Sequence, residues 1–141
     1  MVADCLPVLL CAGDGREVAA VHAGWRGLAS GILGQAVAQF DSPPEQLIAW
    51  LGPCIGTGNY PVGFELRTTF ISEHAAYEAC FVEHAGRMHM NLRELAKQQL
   101  KRLGVTAVNV SERCVYAEDD SFFSFRRDGT TGRMAALIWI S

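Results

Sequence analysis

With 141 residues, half of them hydrophobic and 19% charged, the chain can close one core, and a disordered polymer is excluded. A net charge of −3 and a pI near 5.8 leave no basic face wide enough to neutralise many phosphates, which argues against a general nucleic-acid binder. Five cysteines, at positions 5, 11, 54, 80 and 114, form neither an even framework nor a CxxC spacing, and with no export signal they read as free thiols of a reducing cytoplasm.

The chain opens on two short apolar runs, Leu6 to Cys11 and Glu17 to His22, around Ala12-Gly13-Asp14-Gly15-Arg16, whose glycines and aspartate supply turn chemistry. A turn centred between Gly13 and Asp14 sets Cys5 directly opposite His22. Cross-strand neighbours of this kind have Cβ atoms about 4.5–5.5 Å apart. Three readings of that pair stand together: sulfur and nitrogen ligands of zinc, a cysteine nucleophile beside its histidine, and two packed side chains with no chemistry. Leu6-Pro7-Val8-Leu9-Leu10-Cys11 superficially matches a lipoprotein cleavage site, but the short apolar run and Asp4 in place of a cationic flank exclude it.

Both hairpin strands are apolar on each side and call for cover on two faces. After His22, the segment Ala23-Gly24-Trp25-Arg26-Gly27 leads into Leu28, Ile32, Leu33, Ala36, Val37 and Phe40, a helical period. Arg26 at such a helix start suits an anion, or is an ordinary surface arginine. Leu47 to Leu51 reads as a buried strand, and Gly52 to Tyr60 as an irregular loop. A helix is predicted from Phe64 to Ser72, then a strand at Cys80–Glu83. A third helix, capped by Asn91, runs through Leu92, Leu95, Ala96, Gln99, Leu100 and Leu103 to stop at Gly104, and Val105 to Val110 is the next strand. His74, His84 and His89 have no partner at ligand spacing and read as surface histidines. Phe122, Phe123 and Phe125 followed by Arg126 and Arg127 suit either a pocket for a planar ring and an anion, or a packed turn with one arginine on Asp128. Met134 to Ile140 is predicted as a closing strand. No stretch is long enough to span a membrane.

Four motifs occur in order: Ala3-Asp4-Cys5-Leu6-Pro7-Val8-Leu9, Val21-His22-Ala23-Gly24-Trp25-Arg26-Gly27, Leu51-Gly52-Pro53-Cys54-Ile55-Gly56, and Phe122 to Asp128 with Thr131-Gly132-Arg133. Together they resemble the bacterial peptidoglycan-editing and purine nucleoside phosphorylase family, long labelled laccase-like polyphenol oxidoreductase. The resemblance covers the whole chain and implies zinc, rather than the copper of the label, on a His-Cys-His set. The family's cysteine falls on Cys5 and its second histidine on His22. Its first histidine lies in a Gln-Val-His-Gly segment upstream of the Ala-Asp-Cys motif, so residues 1–141 correspond to a C-terminal portion of the family domain, somewhat more than half of a typical member.

The expectation is therefore an α+β fold in one domain, 1–141, a layered mixed sheet with helices on one face and incomplete at its N-terminus. The resemblance implies a cytoplasmic enzyme that phosphorolyses adenosine, inosine and methylthioadenosine and deaminates adenosine. Its partners would be a nucleoside and phosphate, with no nucleic acid or membrane and with homo-oligomers left open. Metal and catalysis are expected at Cys5 and His22, and anion binding at Arg26 and Arg127. Two other functions stay in view: a cysteine hydrolase acting on a peptidoglycan precursor, with Cys5 as nucleophile and His22 as base, and a catalytically impaired fragment.

Overall fold

The computed structural model describes residues 1–141. Strand β1 (Leu6–Ala12) and strand β2 (Val18–Ala23) form the expected hairpin, and β1 also pairs antiparallel with β3 (Leu47–Leu51). The sheet has the order β2-β1-β3-β7, with β7 (Ala107–Val110) running parallel to β3. Alternation then sorts the side chains by face. Leu6, Val8, Leu10, Leu47, Ala49 and Leu51 are fully enclosed, whereas Leu9 and Cys11 are half-buried and Ile48 and Trp50 are about 40% exposed.

The hairpin register differs from the sequence expectation. Pro7, not Cys5, stands opposite His22, and Cys11 stands opposite Val18. The turn is centred one residue later, on Asp14-Gly15, because Gly15 takes the positive φ of 75° the turn requires and Asp14 Oδ1 accepts the Arg16 N–H at 3.0 Å. Cys5 lies just outside the ladder, which begins at Leu6↔Ala23, and comes beside Gly24. A shift of two preserves which face each residue points to, so Cys5 and His22 still share one side of the hairpin.

The predicted single helix from Leu28 to Phe40 is two short ones, α1 (Trp25–Ala29) and α2 (Ile32–Val37), broken where Gly31 adopts φ 75°. The apolar period survives the break, and Leu28, Leu33 and Val37 still enter the core. A second sheet of order β4-β6-β5 is built from Pro61–Val62, Arg87–Met90 and Phe81–His84. It is flanked by α3 (Phe64–Glu73) and α4 (Leu92–Arg102). Asn91 caps α4 by accepting the Glu94 N–H at 3.0 Å. The helix closes with Gly104 at φ 95° and the Val105 N–H returning to the Leu100 carbonyl at 3.0 Å, which is why β7 starts at Ala107 and not at Val105.

The fold is α+β, with the helices packed against the Leu6, Val8 and Leu10 face in one core of 27 buried residues. The second layer expected over the other face is not supplied by these residues. Instead Pro7, Leu9, Trp50, Phe122 and Leu137 line an open apolar cavity of about 500 Å³ that carries no titratable side chain. The closing strand predicted at Met134 to Ile140 is likewise not formed. Only Met134 is bridged, to Val2, and beyond it Leu137 and Trp139 are each 75% exposed. A continuous apolar run makes a strand only where its backbone is paired, and residues 135–140 make no backbone hydrogen bond. No helix is long and apolar enough to cross a membrane.

Candidate active site

Asp4, Cys5, His22, Arg26, Tyr60, Phe125 and Arg126 line one cavity of about 390 Å³ at the open end of the hairpin. Asp4 assembles it. The residue holds φ 86° and is 7% exposed. Its carboxylate accepts the Ser124 hydroxyl at 2.6 Å and the Arg126 N–H at 2.7 Å, while its carbonyl accepts the Ile55 N–H at 2.9 Å. One aspartate thus ties the strand entry, the 52–60 loop and the short helix α5 (Phe125–Asp128) to a common point. Charge-assisted bonds of this kind offset the cost of a left-handed φ at a residue other than glycine.

Cys5 follows immediately and is half-buried. Gly24 leaves room for it, since a Cβ on Gly24 would come within 2.9 Å of the Cys5 sulfur. Burial, and then the neighbouring Asp4 charge, push the Cys5 thiol above its ordinary value, against a smaller opposing pull from Arg126. Partial desolvation holds His22 below the ordinary imidazole value, which favours the neutral ring. A neutral imidazole and a thiol that loses its proton to a cation are the donor types zinc takes. The donor chemistry therefore fits the metal that the resemblance implies. The donor number does not, because no third His, Cys, Asp or Glu joins the pair, and Asp4 is committed to Ser124 and Arg126.

Arg26 reaches the same cavity with its guanidinium over the Trp25 ring, 4.6 Å from the centroid. Arg127 does not reach it. Its five N–H donors all have partners: the Val115 and Tyr116 carbonyls at 3.0 Å, the Phe122 carbonyl at 2.9 Å, and Asp128 at 2.8 and 2.9 Å. The arginine facing the cavity is Arg126, which stacks on Tyr60 at 4.9 Å and gives one bond to the Pro61 carbonyl at 3.1 Å. Tyr60 sits so deep that its phenol is pushed up to about 12. Sequence reasoning named neither Tyr60 nor the direction of Arg126. The available signal was Ser124, whose hydroxyl accepts the Arg127 N–H at 3.2 Å and so caps the turn that sends the two arginines apart.

The family model described as multi-copper polyphenol oxidoreductase laccase matches residues 1–141, and the chain belongs to that family. Among its relatives, a purine nucleoside phosphorylase YfiH of Shigella flexneri is 49% identical over 140 residues, covering 99% of this chain and 58% of the relative. Purine nucleoside phosphorylase PA4543 of Pseudomonas aeruginosa is 44% identical over 142 residues, covering 99% and 59%. The crystal structure of Neisseria meningitidis protein NMB0706 superposes with a TM-score of 0.91 at 43% identity, over 94% of this chain and 55% of that one. The chain thus spans somewhat less than three fifths of the length of the relatives it matches.

Proposed function

We propose that this chain carries the greater part of a purine nucleoside site, in which adenosine, inosine or methylthioadenosine is cleaved by phosphate and adenosine is deaminated. The observation that supports it is the convergence of a Cys/His pair, two arginines and aromatic rings on one cavity of about 390 Å³, in a family whose relatives bear the phosphorylase name. In phosphorolysis a phosphate oxygen attacks the ribose C1′ as the bond to the base breaks, and the electron pair leaves with the base nitrogen. Arg26 and Arg126 are the two guanidiniums placed to hold that phosphate, each steadied by an aromatic face. Phe125, more than half exposed, offers a surface on which a purine can stack.

Cys5 and His22 would hold zinc with a further ligand from outside residues 1–141. Zinc with an open position lowers the pKa of a bound water to about 7, the chemistry deamination needs. The raised Cys5 thiol weighs against the cysteine hydrolase reading, since a nucleophile at rest needs thiolate. Iodoacetamide labelling tests the proposal. Zinc should shield Cys5, a chelator should restore labelling, and His22→Ala should abolish the shielding. Phosphate-dependent release of base from inosine is followed alongside. Labelling of Cys5 that is equally fast with and without zinc, together with turnover that survives Cys5→Ser, would refute it.

A further inference from the structure

Cys54 and Cys114 face each other across an isolated parallel bridge, with the Val115 N–H on the Cys54 carbonyl at 3.1 Å. Backbones paired in this way lie about 4.7–4.9 Å apart, inside the roughly 4.4–6.8 Å that a disulfide spans between Cα atoms. The two thiols have opposite surroundings. Cys54 is fully enclosed, and burial pushes its thiol up to about 12. Cys114 is half-buried, and its sulfur accepts the Gly56 N–H at 3.1 Å and the Asn59 side-chain amide at 3.5 Å. Burial alone would raise the Cys114 thiol, but the backbone N–H groups of Ala117, Gly56 and Tyr116, with Asn59, outweigh it and bring the value below the ordinary one. A sulfur ringed by N–H donors is an anion cradle that favours the residue's own thiolate over its thiol. The nucleoside site proposed above uses neither cysteine.

We propose that Cys114 is a peroxide-reactive modification site and that Cys54 is its resolving thiol. The Cys114 thiolate attacks a peroxide oxygen, the O–O bond breaks, and the sulfur is oxidised to a sulfenic acid as the peroxide is reduced to water or an alcohol. The Cys54 sulfur then displaces that hydroxyl, its own proton leaves with it as water, and a Cys54–Cys114 disulfide remains. Because Cys54 is buried and protonated, the second step is the slow one and the sulfenic acid accumulates first. Forming the disulfide draws the Cys114 sulfur off Gly56 and Asn59, in the loop that carries Tyr60 to the cavity.

The 141-residue chain is exposed to graded hydrogen peroxide, with and without a dimedone trap, and mapped by mass spectrometry. Dimedone should mark Cys114 about tenfold or more faster than Cys11, a half-buried thiol without such donors. Without the trap the 54–114 disulfide should form. Cys54→Ser should stop the reaction at the sulfenic acid, and Cys114→Ser should leave Cys54 unmodified. Equal labelling of Cys114 and Cys11, or complete oxidation of Cys114 with no 54–114 disulfide in the unsubstituted chain, would overturn the assignment.

Discussion

The two faces of the four-stranded sheet are made by the same strands and have opposite fates. Leu6, Val8, Leu10, Leu47, Ala49 and Leu51 vanish under the helices, while Leu9 and Cys11 stay half-buried, Ile48 and Trp50 stand open, and Leu9 and Trp50 line an apolar cavity. The contrast teaches where these residues are self-sufficient. One face has all the packing it needs to hold the strands in register, and the cavity with Cys5 and His22 sits at the hairpin's end, within reach of the segments that face anchors. The other face has the composition of an interior without the cover of one.

The largest effect should come from breaking the covered face. Leu51→Ala removes a fully enclosed side chain and is expected to cost about 2–5 kcal/mol. Trp50→Ala, one residue away on the open face, should cost well under half as much, because its ring is already in water on one side. Urea midpoints at unchanged slope measure both. Equal losses would mean that the open face is covered in solution.

Next in size is the contrast between two consecutive arginines. Arg127→Ala strips partners from three backbone carbonyls and Asp128, and should lower the urea midpoint plainly. Arg126→Ala gives up one carbonyl bond and a stacked ring, so the midpoint should hardly move while phosphate binding, read by calorimetry, falls. The reverse pattern would return the anion to Arg127.

Much of this was legible in the sequence and the remainder failed for stated reasons. The hairpin, the Asn91 cap and the Gly104 stop were readable because local chemistry decides them. The register was missed by two residues, since Gly13 and Gly15 both offer turn chemistry and only the whole ladder selects Gly15. The long helix was missed because Gly31 breaks the backbone without breaking the apolar period. The sequence expectation put the anion on Arg127, whereas Arg126 faces the cavity, because their directions depend on Ser124 binding an aspartate 120 positions earlier. Cys5 and His22 were paired through the wrong register, but onto the correct face, since an error of two leaves the side of the sheet unchanged.

The smallest effect lies on the solvent rim, at Glu17 beside the hairpin turn. Its carboxylate accepts the Ser42 hydroxyl, the Asp41 N–H at 2.6 Å and the Ser42 N–H at 3.0 Å, and these bonds, the hydroxyl first, hold it below its ordinary value of 4.5. A carboxylate depressed in the folded state contributes stability that is present above the unfolded value and is lost as pH falls through the folded one. The difference in urea midpoint between the unsubstituted chain and Glu17→Gln should therefore be constant above about pH 5.5 and shrink steadily below pH 4.5. Solvent keeps it small beside the Leu51 effect. A difference that does not change with pH would place the strength of this contact in the packing of the 41–42 turn and not in the charge.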